Sequence, residues 1–532
     1  MSFKKFLTCI LIIFVFIGGV CTTNIFAIQP DFYIIQDEEH AIFYYGGEPE
    51  EGNAEIEDLD VDYIESTNTY VITISGDVEL NAFEGPAIYS DTSNISIVGD
   101  GELTINYRTG SEDVEYLEED NLSMIFCFDI YYEGEENQED LTLTIGDAES
   151  DLTLNLNAIK NPELMEIMKH NRETSGDGIE FLFMLEVIGD NINIENTKIN
   201  AISNGYTIYG IDICNFKNSE LNVEYLTEYD QFVIGIACMN GITVDNSKIN
   251  MSTENGTDRD FCVGLYSDGD INVINDSLVE VNSSYNDEYV GSIETNGDIS
   301  IIDSEVNLKG NYFALYGNEI LIQNSNFLLS GLYTSLIFTS DYEYNSGEET
   351  RLPAGLDIQE DETHGGIFER KTSIPEEDEY YGLLTDDEKL DEDDSTINIQ
   401  IGETRKIIAG VNKEEATELY SNDPLFDLES DLCYAEITRK FLVEFFDGVK
   451  EYTHLAIKPN SLMAKPQDPV KEGYKFEGWY NDEELTTPFD FNSPITKDIK
   501  LYAKWSVIEE EPEEKQEDKP YRPYIVPKTG IK

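Results

Sequence analysis

The sequence predicts an all-β protein: a right-handed parallel β-helix followed by a small, aromatic-rich β domain. Three observations lead there. A strand–bend–strand motif recurs six times between residues 190 and 330, and a period of that length marks a solenoid. Both tryptophans of the 532-residue chain fall within residues 441–506. The apolar positions of the repeats alternate, which is strand spacing and not helix spacing.

From the N-terminus, residues 1–27 read as a secretory signal peptide. Lys4 and Lys5 form the basic start, an apolar run over 6–20 follows, and cleavage is expected after Ala27. The run is short for a membrane span, so no transmembrane helix is expected in the mature chain. Cys21 leaves lipidation as an alternative, although Gly18-Gly19-Val20 fits a lipid-attachment box poorly.

Residues 28–345 are read as the β-helix with a less regular N-terminal cap. Its unit is apolar, any, apolar, any, Asn or Asp, a short polar residue, any, apolar. Ile192-Asn193-Ile194-Glu195-Asn196-Thr197-Lys198-Ile199 is the first copy, and others start at Cys214, Ile242, Ile271, Ile299 and Ile320. The anchors are Asn196, Asn218, Asn246, Asn275, Asp303 and Asn324, spaced by 22, 28, 29, 28 and 21 residues. Asn and Asp tolerate the left-handed backbone of a sharp bend. A second apolar segment lies between copies, as in Gly210-Ile211, Gly235-Ile236 and Gly264-Leu265. Each unit thus supplies about three strands, one coil of a β-helix, and a coil buries its inner face only by stacking. Stacking predicts that the anchors form a hydrogen-bonded side-chain ladder. A leucine-rich repeat is disfavoured because the apolar positions are mostly Ile and Val and no L-x-x-L-x-L frame exists. Residues 95–105 look like an earlier unit, and 158–180 like a short helical insertion.

Residues 346–440 are read as an acidic linker, with runs such as Glu376-Glu377-Asp378-Glu379 and Asp391-Glu392-Asp393-Asp394, plus an unassigned β segment starting near Thr396. Beyond the signal, five cysteines remain: Cys127, Cys214, Cys238, Cys262 and Cys433. That is too few for a disulfide scaffold. The even spacing of Cys214, Cys238 and Cys262 predicts equivalent positions on stacked coils, as small apolar fillers.

Residues 441–506 carry Val443-Glu444-Phe445-Phe446, Pro466, Pro469, Gly473-Tyr474-Lys475-Phe476-Glu477-Gly478-Trp479-Tyr480, Phe489-Asp490-Phe491 and Leu501-Tyr502-Ala503-Lys504-Trp505. In order and spacing this closely resembles the Listeria–Bacteroides repeat, or internalin B-repeat. The resemblance implies a small β-grasp-like domain, found in bacterial surface proteins as a spacer or interaction repeat. So small a domain needs aromatic bulk for its core, and Tyr474, Phe476, Trp479, Tyr480 and Trp505 are the expected core. A sugar-stacking role for Trp479 and Trp505 is the alternative. More loosely, residues 95–105 resemble carbohydrate-binding and right-handed β-helix proteins of bacterial exteriors. Residues 507–532 read as a disordered acidic tail. Val526-Pro527-Lys528-Thr529-Gly530 resembles a degenerate sortase signal, with Val for Leu and no apolar span after it.

There are 109 acidic residues against 33 basic ones, a formal net charge of −76. Such a surface repels phosphate backbones and excludes nucleic acid as a partner. No catalytic residue and no certain cofactor is assigned; calcium is the one cation the charge invites. Asp245, Asp276 and Asp303 are candidate carboxylates for glycan hydrolysis, but their place at bends is explained by turn chemistry. Arg259 between Asp258 and Asp260 is the one arginine set like a lyase base, and a loop ion pair explains it equally. The four histidines, His40, His170, His364 and His454, are scattered. The expectation is a secreted or surface-associated protein of a Gram-positive-type bacterium, an adhesin or glycan-binding module without catalysis. A polysaccharide lyase or glycoside hydrolase, or a display stalk, are the alternatives.

Overall fold

The computed structural model describes residues 31–507, except 109–122, 129–139, 158–184, 226–231, 254–260, 284–290, 372–383, 387–394, 402–406, 420–431 and several positions of one to three residues. The expected signal peptide, Cys21, the insertion at 158–180, the two acidic runs, Arg259 and the sortase-like end lie outside the described residues. The described residues are all-β, with strands and one 3₁₀ turn at Glu65–Thr67. The chain divides into two compact units, Met1–Arg439 and Lys440–Lys532.

The first unit is a β-helix of three long sheets with 13, 12 and 13 strands. Between the end strands, each strand pairs in parallel with its equivalent one coil later. In the third sheet, Thr197–Ser203 lies beside Glu220–Tyr225 with Lys198 opposite Glu220 and Ser203 opposite Tyr225. Within Thr197–Ser203 the side chains alternate, with Thr197, Ile199, Ala201 and Ser203 turned in and buried. Inward residues of all three sheets merge into one core. Ile192, Ile199 and Ile208 are followed one coil on by Cys214, Leu221 and Ile236, then by Ile242, Ile249 and Leu265. β-branched residues suit this pleated, stacked surface, and each fully buried one stabilises by about 1.5–3 kcal/mol.

Both ends of the stack are closed by antiparallel strands. Phe32–Ile35 pairs with Ala41–Tyr45, and Leu59–Ile64 lies against Thr69–Ile74, at the start. Ile407–Gly410, Thr417–Leu419 and Tyr434–Ile437 close the other end. Such caps blunt the open edges that would otherwise stack on another chain.

The solenoid does not stop at residue 345. Ala354–Glu360 continues the second sheet in parallel from Glu319–Gln323, and Ser395–Ile401 continues it further. Gly365–Arg370 extends the third sheet and Leu384–Asp386 the first. The described strands of 346–440, a stretch read from the sequence as a linker with an unassigned β segment, are therefore the end of the β-helix and its cap. Its acidic runs interrupt the period, while Leu356, Ile358 and Phe368 keep the inward apolar positions. A second apolar cluster, including Tyr206, Tyr209, Ile234 and Tyr266, packs against the first sheet apart from the central core.

The second unit holds a four-stranded sheet in the order Glu451–Ile457, Phe441–Phe446, Ile499–Val507, Tyr474–Tyr480. The central pair is parallel and the outer pairs are antiparallel. That is a grasp-like order. Among the described residues, the connection over 461–473 carries neither helix nor strand.

Candidate functional site: an amide-lined groove

All six anchors sit at the corner between the second and third sheets, and all adopt left-handed backbone, with φ from 45° at Asn246 to 58° at Asn275. This is why Asn or Asp is required, since other residues pay roughly 1–2 kcal/mol there. The anchors are not one continuous ladder. Asn246 Nδ2 donates to Asn218 Oδ1 at 2.7 Å. Asn196 donates to the Asp147 carbonyl, and Asn275 donates to the Asp245 carboxylate at 2.7 Å. The coil of Asn275 has an additional residue in its bend, so Asn275 and Asp276 are both left-handed and Ile249 faces Val279, not Leu278. Asp303 and Asn324 are joined to the next coil through their backbone N–H groups. Asp245, Asp276 and Asp303 serve these bends, and among the described residues no group of three or more His, Cys, Asp or Glu is placed to hold a metal ion.

The buried ladder is made by the residue after each anchor, or two after it at Asn275, where Asp276 is the additional bend residue. Thr197, Ser219, Ser247, Ser277, Ser304 and Ser325 are buried. The Ser219 hydroxyl donates to the Lys217 carbonyl at 2.8 Å and accepts the Thr197 N–H at 3.2 Å. Ser247 Oγ accepts the Ser219 N–H at 3.0 Å, and Ser277 Oγ accepts the Ser247 N–H at 3.1 Å. The short polar position of the repeat thus joins coil to coil at the corner.

One residue beyond Ile199 and its equivalents the side chain lies on the outer face of the third sheet, and there a true amide ladder forms. Thr104, Asn155, Asn200, Asn222, Asn250, Glu280 and Asn307 lie side by side in successive strands. Asn200 Nδ2 donates to Asn155 Oδ1 at 2.9 Å, Asn222 to Asn200 at 3.2 Å and Asn250 to Asn222 at 2.8 Å. At one end Asn155 donates to Glu102 at 2.7 Å. Near the other, Asn307 donates to Glu280 at 3.1 Å. An amide both donates and accepts, so identical asparagines at strand spacing satisfy one another. Asn200 and Asn250 each give one N–H to the ladder and keep the second for a ligand, while Asn222 gives its N–H groups to Asn200 and Glu220.

This ladder lines an elongated groove of 1220 Å³, together with Ile202, Glu224, Ser252, Asn282 and Lys309 from the adjacent column. Six strand spacings of ~4.8 Å make the ladder ~29 Å long. Burial, and then the neighbouring Lys371, hold the Lys309 ammonium below its ordinary pKa. Among the described residues no aromatic side chain lines the groove. The sequence reading missed the ladder because its motif ended on the apolar residue just before it. The signal was available, since Asn200, Asn222, Asn250 and Asn307 each stand four residues after an anchor.

The cysteines are arranged differently from expectation. Cys214 lies in the second sheet, while Cys238 and Cys262 lie in the first. Cys214 and Cys238 form a disulfide with Cα atoms 6.3 Å apart. Their equal spacing along the chain does not give equal positions because the intervening turns differ in length. Gly210 stands over this bond, and a Cβ there would meet Cys214 Sγ at 2.6 Å.

In the second unit Trp479 is 2 % exposed and packs edge-on against Phe445 and Phe476. Phe476 and Trp505 are half-buried against the same core, and Trp505 Nε1 donates to the Asp447 carbonyl at 2.9 Å. Trp479 is therefore a core residue and offers no face to a sugar. Tyr474 departs from the expected core: it is 40 % exposed, with the Lys471 ammonium 4.5 Å from its ring centre. Tyr480 is partly buried beneath Lys504. A bulge at Gly478, with φ of 139°, shifts the alternation and turns both Phe476 and Trp479 inward. Val443, Met463, Ile495, Leu501 and Ala503 complete the core.

Fold and groove define a class: a β-helix with an outward amide-lined groove, on one chain with a compact aromatic-core repeat. The repeat is a Listeria-Bacteroides repeat domain, whose family model matches residues 446–504. Similar stretches occur in internalin H of Listeria monocytogenes, 36% identical over 64 residues, 12% of each chain. A candidate membrane protein of Evansella cellulosilytica is 52% identical over 48 residues, 9% of this chain and 7% of that protein. A candidate Gly-rich membrane protein of the same organism is 37% identical over 62 residues, 12% of this chain and 7% of that one. The chain thus spans about a tenth or less of the length of these relatives. No helix among the described residues is long and apolar enough to cross a membrane.

Proposed function

We propose that this is a bacterial surface or secreted protein that binds an extended glycan without transforming it. The carrying observation is the amide ladder, a row of like hydrogen-bonding groups repeated at one spacing along an open groove. A polymer with a regular repeat of hydroxyls matches such a row. The Listeria-Bacteroides repeat and the internalin match support the surface setting. The net charge of −76 favours neutral or cationic glycans and disfavours polyanions unless calcium bridges them.

The test incubates the purified full chain with neutral and acidic polysaccharides, with calcium and with chelator. Binding is measured by calorimetry, and products are measured as reducing ends and unsaturated sugars. Saturable binding of a neutral glycan, weakened by Asn222→Ala, supports the proposal. Turnover of any polymer would establish an enzyme instead, and binding to none would leave a display stalk.

A further inference from the structure

We propose that the groove contains a subsite for a free amino group of the sugar chain, centred on Glu224, so that the ligand is an amine-bearing hexosamine polymer. The inference rests on the glycan reading above and adds a chemical class to it. The carboxylates beside the ladder differ in one respect. Glu102, Glu220, Glu280 and Glu305 each accept a hydrogen bond from an asparagine, and Glu220 also pairs with Lys198. Glu224 is exposed in the groove and has no hydrogen-bond or ion-pair partner among the described residues.

Its surroundings suit a charged sugar. In the same column Ile202, 36 % exposed, precedes it and Ser252 follows it. Asn222 projects from the same strand on the same face. A pyranose ring could rest its apolar side on Ile202, place hydroxyls on the Asn200 and Asn222 amides, and bring its ammonium to Glu224. An ammonium is also drawn by the field of a chain with net charge −76, whereas an N-acetyl group gains nothing from the carboxylate.

The experiment uses the full chain and two oligosaccharides of equal length, a glucosamine oligomer with free amines and its fully N-acetylated form, titrated at mildly acidic pH. A single exposed ion pair is worth up to ~1 kcal/mol, so the free-amine oligomer is expected to bind about two- to fivefold more tightly. The readout is the ratio of the two affinities. Glu224→Gln should bring that ratio close to one, and added salt should lower it. Thermal melting of the variant checks its fold. Glu102→Gln serves as a second variant and should leave the ratio high, because its carboxylate is already held by Asn155. Equal binding of both oligomers by the wild type overturns this inference and leaves the glycan reading standing. So does a ratio that survives Glu224→Gln, or stronger binding of a lysine oligomer at the same residue. Binding of neither oligomer, nor of any other glycan, overturns both.

Discussion

At the corner between the second and third sheets, two neighbouring residues do different work. Asn246 bears the left-handed backbone at φ 45° and, exposed at the corner, donates directly to Asn218 Oδ1. Ser247 is buried and accepts the N–H of Ser219. Replacing Ser247 by Ala leaves that donor unpaired in the interior, which costs about 1–3 kcal/mol. Asn246→Gly should be tolerated, since glycine adopts this conformation freely, while Asn246→Leu should cost about 1–2 kcal/mol through backbone strain. Denaturant melts of the three variants give the order; a Ser247→Ala variant as stable as wild type would show that the hydroxyl ladder contributes nothing. Glu294 lies in the first sheet, almost wholly buried. Burial pushes its carboxyl up to about 8 from 4.5, against the opposing hydrogen bond from the Gly291 N–H. The folded state therefore holds a proton that the unfolded chain releases. The resulting stabilisation is complete below the unfolded value and is lost as pH rises from about 4.5 toward about 8. Glu294→Gln should remove this component, so the stability difference between wild type and variant should move in favour of the variant across that window. A difference flat with pH would refute it.

At the scale of the element, one coil differs from its neighbour mainly in turn length. The cross-link between Cys214 and Cys238 joins a second-sheet strand to a first-sheet strand over 24 residues, enough to stabilise by about 3 kcal/mol through the unfolded chain. Cys214→Ala with Cys238→Ala should lower stability by about that amount less the changed packing, measured by thermal melting under oxidising and reducing conditions. Wild type and variant should converge under full reduction. Gly210→Ala should also destabilise, because its Cβ would strike the bonded sulfurs. The same tolerance for turn length explains why 346–440 reads as a linker although its described strands complete the sheets.

At the scale of the molecule, the two units differ in charge as well as fold. Residues 440–507 carry nine lysines against eleven acidic residues, so nearly all of the net charge of −76 belongs to the remainder of the chain. The repeat also has its own core around Trp479. Residues 440–507 should fold alone, with dispersed amide signals, and Trp479→Ala should unfold that piece, since truncating a buried tryptophan costs about 3–5 kcal/mol against a marginal total. Retained dispersion in the variant would show that the core does not depend on Trp479.

The β-helix was legible because its cause is local and periodic. Inward apolar residues, left-handed Asn anchors and small corner hydroxyls repeat with the coil, and Ile192 through Ile199 displays all of them within eight residues. The Listeria-Bacteroides repeat was legible because its aromatic frame is dense. What the tertiary structure alone decided is which repeats face each other. Register between coils made Asn200, Asn222 and Asn250 a ladder, moved Asn275 onto Asp245, brought Cys214 to Cys238, and left Glu224 without a partner among the described residues. Turn lengths vary from coil to coil, so distance along the chain does not report distance across the stack. Those contacts follow from hydrogen bonding between strands that are 20 to 50 residues apart.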